Sequence, residues 1–240
     1  MKDEKNMTKN LRIAIDGPGG AGKSTVAKEV ARKLGIDYID TGAMYRAIAY
    51  KFISCGLKPG IQSDDFFESV NKILASTDVD YSGGITRLDG IDVSDKIRTA
   101  EISSAASSFS ALPNVRKKLV ALQQKIANEK SLVMDGRDIG SNVIKDAELK
   151  IFLTASPEER AKRRYEELCL KGEEVDYDAV LCEMKTRDQN DMSRELNPLV
   201  KAEDAWEIDS SDMTASAVVD LICERANQLF CNVIGHMLQK

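Results

Sequence analysis

Short apolar runs alternate with amphipathic segments along most of the chain, and this alternation predicts a parallel α/β fold. Ile13–Ile15 is a short apolar run of the kind that forms a buried parallel strand. Apolar residues then recur at helical spacing, at Val26, Val30 and Leu34. Gly35 is a natural end for that helix, and a second strand is predicted at Asp37–Ile39, before another helix. Strands that alternate with helices imply right-handed crossovers and a parallel sheet.

The pattern changes between about Leu57 and Arg98. Ser63 is a good N-cap for a short amphipathic helix. Three strand-like pieces follow, at Val79–Tyr81, Ile85–Leu88 and Ile91–Val93. They are separated by Gly83-Gly84 and Asp89-Gly90, which are hairpin signals. This region therefore predicts a small antiparallel meander that is inserted into the parallel fold.

The α/β alternation returns in the second half of the chain. Pro113 can open a helix at its first position. Ser156-Pro157-Glu158-Glu159 is a capping box, so a helix should run from there to Gly172. The strands predicted in this half are Leu132–Met134, Leu149–Leu153 and Trp206–Asp209. Two further helices are predicted over residues 176–194 and 214–238.

Composition and charge limit which binding partners and which cellular compartment are expected. The chain has 240 residues, 42% of them hydrophobic and 30% charged, which is ordinary for a soluble α/β protein. Its net charge of −5 gives no general attraction to nucleic acid or to an anionic membrane. The cysteines number five and form no C-x-x-C pair, so we expect a reducing cytoplasm and no disulfide framework.

Other features exclude several classes of protein. His236 is the single histidine, which argues against a histidine metal site or a catalytic triad. Residues 1–10 are charged and polar, so they predict a flexible tail and not a signal peptide. No apolar stretch reaches the ~18 residues that a membrane helix needs. No exposed apolar stripe is evident outside the core helices, and we expect a monomer.

The segment between the first strand and the first helix reads GPGGAGKST. Its glycines let the backbone curl so that several N–H groups point at one anion, and the following helix adds its positive end. Lys23 would place its charge on the β- and γ-phosphates, and the Ser24 hydroxyl is the expected Mg²⁺ ligand. The predicted ATP-binding residues are Gly17, Pro18, Gly19, Gly20, Ala21, Gly22, Lys23, Ser24 and Thr25.

Clusters of arginine suggest a second substrate that accepts phosphate from ATP and already carries a phosphate of its own. The planar guanidinium donors of arginine meet phosphate oxygens in pairs. Thr41–Arg46 follows the second strand, where α/β sheets bind ligands, although an ordinary helix start with an exposed arginine fits equally. Asp135-Gly136-Arg137-Asp138 follows another strand, and Asp135 could contact Mg²⁺ through water. The alternative for this segment is a structural ion-pair turn.

Two more basic groups lie on predicted helices. Arg187, Asp191 and Arg194 share one helical face because their spacing is four and three residues. An exposed, salt-bridged helix would show the same spacing. Arg160-Ala-Lys-Arg-Arg164 could close over a transferring phosphate as a lid, or could be a solvated helix face.

The chain resembles bacterial cytidylate kinases from Ile13 to about Ala217. The resemblance lies in IDGPGGAGKST, YIDTGAMYRAIA, DGIDVSDKIRT, LPNVRKKL, VMDGRDIG, IFLTASPEERAKRR and MKTRDQNDMSRE. It implies transfer of phosphate from ATP to CMP or dCMP with Mg²⁺. It also implies catalytic roles for Lys23, Arg137, Arg187 and Arg194. Some members of the family have glycine at the position of Ser24.

The resemblance also implies contacts to the acceptor. Arg46 and Arg137 correspond to ligands of its phosphate, with Tyr45 beside them. The residues that would read the cytosine edge are Ser107, Arg116 and Asp138. Arg187 and Asp191 correspond to ribose contacts, and Arg194 lies close to the acceptor and the transferring phosphate. Thr41 stands where the family has serine or threonine, so a hydroxyl near the base is retained.

The expected architecture is an α/β P-loop NTPase three-layer fold with a parallel sheet, an inserted lobe and a short lid. Residues 11–56 and 99–240 would form the kinase core, with the lid at about 157–175. Residues 57–98 would form the lobe that binds the nucleoside monophosphate. Two other hypotheses remain open on the residues alone: a P-loop kinase for shikimate or gluconate, and a nucleotide-dependent switch that regulates a partner.

Overall fold

The computed structural model describes residues 10–61 and 63–237, with side chains through residue 229 in the last helix. The predicted tail at 1–10, apart from residue 10, and the side chain of His236 lie outside this part. Within it, no helix has the length and apolar character needed to cross a membrane.

The strands form two sheets, as the sequence predicts. They are β1 (Arg12–Asp16), β2 (Asp37–Asp40), β3 (Val79–Ser82), β4 (Ile85–Leu88), β5 (Ile91–Asp92), β6 (Leu132–Gly136), β7 (Leu149–Thr154) and β8 (Trp206–Asp209). The main sheet has the order β2–β6–β1–β7–β8, and all of its neighbours are parallel. The small sheet, β3–β4–β5, is the predicted antiparallel meander.

The helices cover both faces of the main sheet. They are α1 (Lys23–Leu34), α2 (Thr41–Ser54), α3 (Asp64–Ser76), α4 (Ala100–Phe109), α5 (Pro113–Glu129), α6 (Pro157–Leu170), α7 (Tyr177–Met192) and α8 (Ala215–Met237). A π-helical turn at Ile139–Val143 follows β6.

Local signals set several of these boundaries. The Ser63 hydroxyl accepts a hydrogen bond from the Phe66 N–H at 3.2 Å, and Ser156 does the same for Glu159 at 3.2 Å. Gly35 ends α1 with φ of 66°, a left-handed conformation that glycine adopts without strain. These capping residues act where the sequence predicts them.

Alternating side chains of the central strands build two apolar layers. Ile13 and Ile15 of β1 pack in a core with α1 and α8. Ala14, between them, packs on the opposite face in a core with α2, α4 and α5. Successive strand residues point to opposite faces, so a sheet covered on both sides is apolar throughout. The α/β three-layer fold is confirmed.

The inserted segment shares the second of these cores. Tyr81 of β3 is 5% exposed, and its ring meets the ring of Tyr38 edge to face at 6.2 Å between centroids. Val70 and Leu74 of α3 lie in the same core as Met44 of α2. The meander is therefore packed against the β2 and α2 side of the main sheet, while the domain division at 57–98 stays a prediction.

Two elements were not predicted from the sequence. Helix α4 reads AEISSAASSF, and its serine and alanine side chains leave too few large apolar positions to show a helical period. Its N-cap is Thr99, whose hydroxyl accepts a hydrogen bond from the Ile102 N–H. The π-helical turn depends on contacts with distant residues described below. Helix α6 also ends at Leu170, two residues before the predicted end.

Replacement of Phe109 by alanine should destabilise the protein by about 3–5 kcal/mol, because the ring is 2% exposed and packs edge to face on Phe52 at 5.0 Å. Phe67→Ala is the matched control. That ring is 40% exposed, so its loss should cost only about 1 kcal/mol. Urea unfolding of both variants measures the difference, and equal losses would contradict this account of the core.

Candidate active site

A cleft of about 1120 Å³ lies at the carboxyl ends of the parallel strands. Ligands of open α/β sheets bind at this edge. The predicted site residues that line it are Gly19, Gly20, Ala21, Gly22, Lys23, Ser24, Thr25, Thr41, Tyr45, Arg46, Ser107, Arg116, Asp135, Arg137, Asp138, Arg187, Asp191 and Arg194. Gly17 and Pro18 belong to the same loop but lie outside this lining.

The glycine-rich loop begins in close contact with the sheet, at Gly17. Gly17 has φ of 148°, and a Cβ built on it would lie 2.0 Å from the backbone oxygen of Leu153. A side chain at this position would therefore force the loop away from β7. Gly22 has φ of 85° and caps α1, so the first N–H groups of that helix face the cleft.

Lys23 is buried at the base of the loop. Its Nζ donates to the Pro18 carbonyl at 2.6 Å, so the lysine spans the loop in this structure. Burial, followed by the nearby charge of Arg137, holds the pKa of Lys23 well below its ordinary value. An anion in the loop would counter both effects and favour the charged amine.

Asp135 connects the loop to two strands. Its carboxylate accepts hydrogen bonds from the Ser24 hydroxyl at 2.8 Å and from the Tyr38 hydroxyl at 3.0 Å. Its backbone carbonyl accepts one from the Thr41 hydroxyl at 2.7 Å. Burial, together with the nearby carboxylate of Asp40, raises the pKa of Asp135 to about 6. Ser24 and Asp135, which the sequence suggests as oxygen ligands, thus lie side by side.

Asp16 explains the π-helical turn. Its two carboxylate oxygens accept hydrogen bonds from the N–H groups of Ile139 and Gly140, each at 2.7 Å. Burial raises the pKa of Asp16 to about 6. Because Asp16 directly precedes the glycine-rich loop, this contact joins the loop to the Asp135–Asp138 segment.

Arg46 is held by the cap of its own helix. Asp40 caps α2 by accepting from the Ala43 N–H at 2.7 Å, and its other oxygen accepts from the Arg46 Nη2 at 3.0 Å. The side chain of Arg46 is 22% exposed and lines the cleft. Its helix start therefore faces the cleft and is not an ordinary surface turn.

Arg116 and Asp138 form a buried ion pair in the lining of the cleft. The Arg116 Nη2 lies 2.5 Å from the Asp138 Oδ2, and the two residues are 3% and 4% exposed. The guanidinium also lies 5.6 Å from the centre of the Tyr45 ring. Ser107 lines the cleft with them, so the three residues expected at the cytosine edge share one cavity, and Tyr45, which was expected beside Arg46 and Arg137, lies there too.

The third arginine group is buried around one carboxylate. Arg137 Nε donates to the Asp191 Oδ2 at 2.8 Å, and Arg194 Nε donates to the Asp191 carbonyl at 3.3 Å. Arg187 Nε is buried and, among the described residues, has no hydrogen-bond partner. Burial and the charge of Arg137 lower the pKa of Arg187 to about 10. This group has more positive than negative charge, so it favours an anion.

Several residues of the site were missed from the sequence. Tyr38 and Asp16 act through contacts with residues far along the chain. Asp40 instead bonds to Ala43 and Arg46 of the helix that follows it, and its position before that helix was a usable signal. Arg160 belongs to the basic run on α6, yet it is 3% exposed and pairs with Asp188 at 2.7 Å. The open alternative of a solvated helix face is wrong for this arginine.

Comparisons with known proteins point to one family. The family model described as cytidylate kinase matches residues 13–228. A cytidylate kinase from Caldicellulosiruptor saccharolyticus is 50% identical over 232 residues, which cover 95% of this chain and 99% of that protein. A cytidylate kinase from Bacillus subtilis is 47% identical over 226 residues, with 92% and 99% covered.

A solved structure shares the fold at low sequence identity. It is described as an uncharacterized protein from Eubacterium ventriosum ATCC 27560, and it is 17% identical to this chain, with a TM-score of 0.50. The match covers 92% of this chain and 99% of that chain, and it bears on the fold alone. The match over residues 13–228 and the relatives near 50% identity show that the chain belongs to the cytidylate kinase family.

Proposed function

We propose that the protein phosphorylates CMP and dCMP with ATP to give CDP and dCDP. The observation that carries this proposal is the meeting of two phosphate sites at Gly19. A Cβ built on Gly19 would lie 3.7 Å from the Arg137 Nη2 and 4.0 Å from the Arg187 Cδ. A donor phosphate in the loop would therefore lie beside arginines suited to an acceptor phosphate.

The chemistry requires alignment and charge neutralisation more than proton transfer. The acceptor phosphate is already anionic at neutral pH, so no general base is needed to activate it. Lys23 and the loop N–H groups would hold the donor, and Arg46 and Arg137 would hold the acceptor phosphate. Arg187 and Arg194 would stabilise the charge that develops on the moving phosphoryl group.

The wall with Arg116 and Asp138 would select the base. An aspartate oxygen can accept a hydrogen bond from the exocyclic amino group of cytosine, as carboxylates do when they read this base in nucleic acids. The buried pair with Arg116 would hold that oxygen in place. Asp191 and Arg187 would contact the ribose.

Ser24 and Asp135 fit a magnesium ion. Both offer oxygen atoms, the atoms that Mg²⁺ prefers, and the Ser24 hydroxyl already touches the Asp135 carboxylate at 2.8 Å. Among the described residues no group of three or more histidine, cysteine, aspartate or glutamate side chains could hold a metal ion. Mg²⁺ in kinase sites takes one or two protein ligands and completes its shell with phosphates and water. When bound, Mg²⁺ would neutralise phosphate charge during transfer.

The same proposal includes a cytoplasmic monomer that binds neither nucleic acid nor membrane. The negative net charge of −5 supports the part on nucleic acid and anionic membranes. A regulatory switch that binds nucleotide without phosphoryl transfer is the rival from another class. Kinases of shikimate or gluconate are the rival enzymes.

An acceptor panel separates these functions. We expect ADP release from ATP to be fastest with CMP and dCMP, because cytosine offers Asp138 an exocyclic amino group that uracil and shikimate lack. The measurement is a coupled ADP-release assay with CMP, dCMP, UMP, AMP, GMP and shikimate. Preference for shikimate or a purine nucleotide, or binding of ATP without transfer to any acceptor, would overturn the proposal.

Arg137→Ala should lower kcat/KM for CMP by roughly 10- to 150-fold, which corresponds to about 1.5–3 kcal/mol for a charge-assisted phosphate contact. Steady-state kinetics with CMP as the varied substrate measures this loss. Arg32→Ala is the control, since Arg32 pairs with Glu29 on the exposed side of α1. Kinetics like those of the parent would remove Arg137 from the acceptor site.

Asp138→Asn should reduce the selectivity for cytosine, because the amide places a donor where one acceptor oxygen stood. We expect kcat/KM for CMP to fall by roughly 10- to 100-fold, equivalent to the loss of a hydrogen bond to a charged group, with little change in the KM for ATP. Asp220→Asn is the control, because Asp220 pairs with Lys33 away from the cleft. An equal loss toward every acceptor base would contradict a role in reading the base.

A further inference from the structure

A buried arginine joins the glycine-rich loop to helix α7. Arg160 Nη1 donates one hydrogen bond to the Gly19 carbonyl at 3.0 Å and another to the Asp188 Oδ2 at 2.7 Å. Its Nε donates to the Ala155 carbonyl at 2.9 Å, which fixes the guanidinium at the start of α6. One side chain thus holds three separate segments together.

The bond to Gly19 also orients the loop. The carbonyl and the next N–H of a trans peptide point in opposite directions. With the Gly19 carbonyl turned toward Arg160, the Gly20 N–H points away from Arg160. The packing is close, since a Cβ on Gly20 would lie 3.2 Å from the Arg160 Cβ and 2.6 Å from the end of the Met184 side chain.

The bond to Asp188 reaches the acceptor side. Asp188 lies on α7 directly after Arg187 and one turn before Asp191, which holds Arg137. Asp188 is 8% exposed, and its Oδ1 has no hydrogen-bond partner within the described part of the chain, so Arg160 is its ion-pair partner there. A displacement of Arg160 would therefore leave a buried carboxylate without its cation, which is costly.

We propose that Arg160 is a positioning residue that couples occupancy of the donor loop to binding of the acceptor. Nucleotide in the loop would fix the Gly19–Gly20 peptide and, through Arg160, hold Asp188 and the neighbouring Arg187. The acceptor would then bind to an ordered α7 at a lower cost in entropy. This inference rests on the proposed function, because it takes the two ligands to be ATP and CMP.

The test measures this coupling directly. The dissociation constant of CMP is determined by calorimetry on the full chain, with and without a saturating non-hydrolysable ATP analogue and Mg²⁺. We expect the analogue to tighten CMP binding to the parent by at least about fivefold, and by less than about twofold in Arg160→Lys. Lysine keeps the charge but lacks the planar fork that serves three acceptors at once.

A second variant and a matched control sharpen the result. Asp188→Asn should reduce the coupling in the same direction, and it provides the measurement if Arg160→Lys does not fold by thermal melting. Lys185→Met is the control because the exposed Lys185–Glu158 pair also links α6 to α7, at 3.0 Å, but lies away from the loop. It should keep the full coupling.

Three outcomes would overturn the inference: no coupling in the parent, full coupling in Arg160→Lys, or a loss of coupling in Lys185→Met as large as in Arg160→Lys. The second of these outcomes includes a loss of CMP affinity in Arg160→Lys that is equal with and without the analogue, which would indicate a structural role only. Release of ADP by the parent with CMP is measured in parallel. If that transfer fails, the proposed function is wrong; if it proceeds and coupling is unaltered in Arg160→Lys, only this inference is wrong.

Discussion

Buried positive charge is the constraint on which the rest of the site depends. Lys23, Arg116 and Arg137 lie in a cleft where desolvation penalises their charges, and the fold holds them there by placing carboxylates next to the arginines. Asp138 and Asp191 carry out this task from a strand end and from α7. The two apolar layers around the sheet fix the strand end, and α7 is fixed by a separate apolar cluster in which Val180 packs with Ala161 and Leu168 of α6. Apolar packing therefore determines where the charges can stand. What remains after pairing is an excess of positive charge that suits phosphates.

The arginine groups show how much of the candidate site can be predicted from short segments of sequence. The spacing of Arg187, Asp191 and Arg194 predicts a shared face, but an exposed helix would have had the same spacing. What distinguishes the two is burial, and Asp191 is 4% exposed. Burial of a helix face depends on the elements packed against it, which no short segment encodes. The helix caps at Ser63 and Ser156 could be predicted because their hydrogen bonds span only three residues.

Two roles that the sequence did not suggest depend on long-range contacts. Asp16 binds N–H groups that lie 123 and 124 positions away, and Arg160 reaches Gly19 across 141 positions. Neither residue stands out locally, since an acid before a glycine-rich loop and an arginine in a basic run are both common. Their roles follow from the order of the strands, which places β6 beside β1 and β7 on its other side. Knowledge of that order was needed before these pairings could be recognised.

The contact between Gly17 and Leu153 has a consequence for how the protein tolerates mutation. The atom that approaches Gly17 is a backbone oxygen, which every residue at position 153 would present in the same place. Position 153 is therefore free to vary with the needs of the core without disturbing this contact. Position 17 has no such freedom, because any side chain would collide with that oxygen. One partner in the contact can drift over evolutionary time while the other is confined to a single residue type.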